Sequence, residues 1–159
     1  MKIARALVAV TVFISLCGVV IHVGALVAGL SWLTFFNAPA SVIESYKSGT
    51  WLAPVSCLAI AGLMGICAYW AASTLAWVRR PPLQSVGIAA MATVCIVRAL
   101  LLPVLAISHP ELRNTFEVVA AIVWGLAGVG FAVSLTLIKA KRETLNSPVT
   151  SGRVDLLSR

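Results

Sequence analysis

Arg98, His22, Glu117 and Glu44 are the side chains of this sequence best placed to do chemistry, because each stands in or beside a long apolar stretch where charge is rare. A guanidinium near the middle of such a stretch costs at least about 2.5–3.5 kcal/mol on insertion scales unless something compensates it. Arg98 therefore needs a partner. It lies 14 residues, or roughly 21 Å, from the start of its stretch at Gln84, and His22 lies 16 residues, or roughly 24 Å, from the start of its own at Ala6. The two share a depth. Glu117 falls about one to two helical turns farther toward the opposite end, within the span of a long arginine side chain. Glu44, on the segment between the first two stretches, is a second acid if that segment folds over the end of the molecule.

The spacing thus predicts a polar cluster with Arg98 at its base, His22 beside it, and Glu117 or Glu44 supplying negative charge. Two roles remain open for it. An arginine and a glutamate can lock two helices together, or the cluster can hold a ligand or a proton.

Other chemistry is poorly supplied. His22 and His109, one of them in a loop, cannot provide the paired ligands on facing helices that a two-haem bundle requires. Cys17, Cys57, Cys67 and Cys95 all fall inside expected helices with no C-x-x-C pair, so they read as small inert hydrophobes. There is no H-E-x-x-H, phosphate loop or nucleophile elbow. Hydroxyls such as Ser73 and Thr93 are expected to bond the preceding helical turn. No catalytic residue, metal ligand or cofactor is assigned.

The elements that must carry the cluster are four apolar stretches, at about 6–33, 51–78, 84–108 and 115–138. The 159 residues are 60% hydrophobic and only 11% charged, against roughly a quarter charged in an ordinary soluble domain. Stretches of about 20 apolar residues match a hydrocarbon core of about 30 Å. The expected fold is all-α: a polytopic membrane protein with a four-helix transmembrane domain over 1–142 and a cytoplasmic tail, disordered, over 143–159. The first stretch follows Lys2 and Arg5 as a signal peptide would, but it is far longer than a signal core and reads as a retained helix.

A net charge of +7 raises nucleic acid as a partner, yet the charges sort by end of the stretches. Lys2, Arg5, Arg79, Arg80, Lys139, Lys141, Arg142, Arg153 and Arg159 fall on one side, leaving Lys47 and Arg113 in the alternate loops. The positive-inside rule then places both termini in the cytoplasm, and the sorting reads as topology and not as a nucleic-acid patch. Lys139, Lys141 and Arg142 are candidates to meet anionic lipid headgroups.

Small and polar residues fall on single helical faces: Thr11, Ser15, Gly18, His22, Ala25 and Gly29 in the first stretch, Cys57, Ala61, Gly65, Ala68 and Ala72 in the second, and Glu117, Ala121, Gly125, Gly128 and Ala132 in the fourth. Such seams mark helix contacts. Between the first two stretches, Pro39, Ser41 and Glu44 predict a short extracytoplasmic helix with a capping box, ringed by Trp32, Phe35, Phe36, Tyr46 and Trp51 as an aromatic belt. Arg79-Arg80-Pro81-Pro82 predicts a stiff hairpin, and Pro103 a loosened turn. Ser108 with Glu111, and Asn114 with Glu117, offer two further caps.

His22, then Phe35-Phe36-Asn37-Ala38-Pro39, then Ala68 to Ser73 before Arg79-Arg80-Pro81-Pro82-Leu83, then Val97-Arg98-Ala99-Leu100, resembles a group of small bacterial inner-membrane proteins with four helices, over about residues 8–135. That resemblance brings no activity. It implies that His22, the loop and Arg98 belong to one recurrent arrangement, while Thr74, Leu75 and Ala76 depart from the group's more glycine-rich turn. The functional expectation is a non-enzymatic accessory or scaffold subunit engaging lipid, other membrane proteins or itself. The alternative is a small transport or ligand-binding module with its polar site around Arg98.

Overall fold

The computed structural model describes residues 1–110 and 113–146, and among them every regular element is a helix. In chain order these are α1 (Lys2–Ala28), α2 (Leu30–Phe35), α3 (Ala40–Lys47), α4 (Leu52–Thr74), α5 (Gln84–Ser108) and α6 (Thr115–Asn146). Four of them, α1, α4, α5 and α6, are long and apolar enough to cross a membrane. Their packing is inverted relative to a water-soluble domain: Thr11 and Ser134 are wholly buried, while Phe13 is 68% and Val27 88% exposed. The inward hydroxyls cost little. Thr11, Ser15, Ser73 and Ser134 each donate to a carbonyl of the preceding turn, as do Thr93 and others on the surface.

The stretch expected to run over 6–33 is two helices. Gly29 takes φ 74°, a left-handed conformation costly to other residues, and a Cβ there would stand 2.6 Å from Tyr46 Oη. The break turns α2 back along α1, where Trp32 Nε1 donates to the Ile21 carbonyl at 3.0 Å. The short helix between the first two long ones is present as α3, without the expected capping box. Pro39 is its N-cap residue, so Ser41 already lies inside the first turn, too late to cap it. Ser45, within α3, instead accepts from the Ala53 amide at 2.9 Å and ties α3 to α4. The Asn114 cap is formed, its Oδ1 accepting from Glu117 N at 2.9 Å. The other cap includes Glu111, outside the described residues, as are residues 147–159 of the expected tail.

The long helices lie in the order α4, α1, α6, α5. The α1–α4 and α5–α6 pairs are extensive and α1 joins α6, but α4 and α5 touch little although a short hairpin connects them. At that hairpin, Gln84 Nε2 donates to Ser73 Oγ at 2.7 Å, and Gly87 lies so close to the Trp70 ring that any side chain would displace it. Farther along, nothing comparable holds α4 to α5. The ring of helices is therefore closed at the hairpin end and open between α4 and α5 toward the α2–α3 end.

The predicted seams do the packing. Thr11, Ser15 and Ala25 of α1 are buried, as are Cys57, Ala61, Ala68 and Ala72 of α4. On α6, Gly125 and Gly128 admit Ala99 and Ile96 of α5. The main core gathers Val8, Val12, Cys67, Ala71, Ile88, Ala92, Ala127 and Phe131, toward the hairpin end. A second, smaller cluster of Ala25, Leu33 and Cys57 lies under α2 and α3.

Candidate functional site

Glu117 stands two residues into α6, where Asn114 caps the helix, and its carboxylate is reached from two directions. Arg98 Nη2 of α5 approaches Oε2 at 3.9 Å, and Asn37 Nδ2 donates to Oε1 at 3.2 Å. Asn37 sits just past α2 with φ 51°, a left-handed conformation that asparagine tolerates better than most residues. Beside this polar contact, Phe36 meets Phe116 edge-on with ring centroids 6.4 Å apart. The segment after α2 is thus clasped to the start of α6 by one amide and one ring.

The structure brings Arg98 and Glu117 together, and it leaves His22 and Glu44 out of that contact. His22 Nδ1 donates to the Gly18 carbonyl one turn back, at 2.8 Å. A carbonyl can only accept, so Nδ1 carries the proton in that bond. Glu44 is exposed on α3, and among the described residues its carboxylate makes no ion pair.

Below the clasp is a cavity of ≈ 630 Å³ whose walls are α1, α4 and α6, with Cys95 as its contribution from α5. Phe36 and Phe116 border it at one end, and Cys67 and Phe131 at the other. His22 is its most polar lining group, and Ser15, Trp124, Met64 and the cysteines carry the rest of its side-chain heteroatoms. A second cavity of ≈ 210 Å³ lies under α2 and α3, lined by Trp32, Asn37, Pro39 and Ser56. Ile21, His22, Phe36 and Ile60 line both, so these four side chains form the partition between them. Among the described residues no fully buried side-chain nitrogen or oxygen lacks a hydrogen bond, so the interior holds no unanswered polar group.

Comparisons with family models, with curated proteins and with solved structures find no match to this chain.

Two participants were not singled out from the sequence. Asn37 was noted only as part of a loop, and its contact with Glu117 spans 80 positions that no periodicity links. The cavity has no sequence signature, since its lining residues are ordinary helix apolars.

Proposed function

We propose that this chain is a four-span protein of the bacterial inner membrane that holds an apolar molecule in the cavity between α1, α4 and α6. Both termini lie in the cytoplasm in this reading, with α2 and α3 on the opposite side, because the basic residues cluster at the hairpin end. Lys139, Lys141 and Arg142, exposed near the end of α6, face anionic headgroups there. The observation that carries the functional reading is the ≈ 630 Å³ cavity, which falls within the roughly 300–1,000 Å³ of ordinary ligand sites and is lined mainly by apolar side chains. An accessory or scaffold role would need only the outward apolar faces and would have no use for that space. The polar cluster is then a clasp that closes the end of the cavity, and His22 is a polar group along its wall.

Trp124 lines the cavity and reports on it directly. A non-ionic brominated detergent should quench the fluorescence that is lost in Trp124→Phe, and Ala120→Phe, which fills the same wall, should abolish that quenching. Quenching that persists undiminished in folded Ala120→Phe would defeat the proposal. For the threading, alkaline phosphatase fused after residue 48 should be active and after residue 81 inactive; the reverse pattern would invert it.

A further inference from the structure

Arg98 is poorly answered. Among the described residues its guanidinium donates no hydrogen bond, its ionic contact with Glu117 is 3.9 Å long, and its side chain is 49% exposed. Glu117, only 12% exposed, already accepts from Asn37. A guanidinium carries five N–H donors in a flat fork, and in apolar surroundings each one left without an acceptor is costly. Water in the hydrocarbon is scarce, so the missing acceptors have to come from another molecule or from a long reach to the interface.

The position of Arg98 favours the first. Gly87, Met91 and Arg98 follow one another at steps of four and seven, which keeps them on one flank of α5. At Gly87 that flank touches Trp70 of α4. Eleven residues farther, about three turns, Arg98 lies on that same flank of α5, whose contact with α4 is slight over its whole length. Cys95, one turn below Arg98, lines the cavity, and Phe116, beside Glu117, closes it. A cation with spare donors therefore stands one turn from Cys95 of the cavity wall, on the α5 flank that meets α4 at Gly87.

We propose that the cavity takes the acyl chain of an anionic membrane lipid, which enters between α4 and α5 and places its headgroup oxygens on Arg98. This rests on the apolar-ligand reading above and names its ligand class. The chain supplies the apolar contact that the cavity lining wants, and a phosphate or carboxylate supplies the acceptors that Glu117 alone cannot. Glu117 holds the guanidinium at the rim and competes for it.

The test uses the full chain in nanodiscs that contain phosphatidylglycerol or phosphatidylcholine, each brominated at mid-chain, and follows the quenching that is lost in Trp124→Phe. Phosphatidylglycerol should reach half-maximal quenching at about a fivefold lower mole fraction, the scale set by about 1 kcal/mol per cation on an anionic lipid. Arg98→Gln should bring the two lipids together, and Glu117→Gln should widen their separation. Saturable quenching by both lipids with equal midpoints in the unmutated protein would overturn the headgroup assignment and leave the cavity reading standing. Quenching that never saturates with either lipid would overturn both. A lipid preference unchanged in Arg98→Gln would assign the selectivity to the basic residues at the hairpin end and remove Arg98 from the site.

Discussion

Toward the hairpin end, Val8, Thr11, Ile88 and Ser134 are 0% exposed and Phe131 is 1%, whereas along the same helices toward α2 and α3, Gly18, His22, Met64 and Val123 border empty space of ≈ 630 Å³. Both regions are built from the same alphabet of small and branched apolar residues. They differ in which helices close. At one end all four long helices meet, helped by the hairpin and by Gly87 against Trp70; at the other, α4 follows α1 and α5 follows α6, and the two pairs part. The comparison teaches that rigidity and capacity are separated along the helix axes, so that a ligand space can exist without loosening the frame that carries it.

The largest effect that would sharpen this contrast is at Phe131, which joins the core and forms the floor of the cavity. Phe131→Ala should cost about 3–5 kcal/mol of stability in reversible unfolding from mixed micelles. A loss below about 1 kcal/mol would mean that the filled half is not what holds the fold. Next, Ala68→Phe in α4, at 5% exposure, should destabilise by about 1–3 kcal/mol through overpacking, while Ala120→Phe, entering free space, should cost less than about 1 kcal/mol. Equal costs in the two variants would erase the distinction between the halves. The smallest effect is at the clasp: Asn37→Ala removes one donor from Glu117 and should cost about 1 kcal/mol, seen as faster amide exchange confined to α2 and α3. Exchange that quickens in α4 and α6 as well would show that the clasp holds more than its own segment.

Much of the frame was legible in residue types. The seams on α1, α4 and α6 named their contact faces because backbones approach closely only where side chains are small. Arg98 with Glu117 was legible from depth and charge, since a cation inside an apolar stretch restricts its own neighbours. His22 illustrates the limit. Its depth matched that of Arg98, yet depth along a helix says nothing of azimuth between helices, and its own turn already offered the Gly18 carbonyl. The capping box at Ser41 fell short for a local reason: Pro39 and Ala40 start the helix two residues earlier.

By itself the sequence determined that four helices are apolar enough to span a membrane, which faces of three of them pack, and that one cation among them would need an acid. These follow from periodicity and from the cost of isolated charge, both local quantities. Tertiary structure alone decided that α4 and α5 touch little beyond their hairpin, that Asn37 reaches Glu117 from 80 positions away, and that the space left among the helices is large and apolar. Those depend on how rigid rods meet in space, and a void is a property of what surrounds it rather than of any residue in the chain.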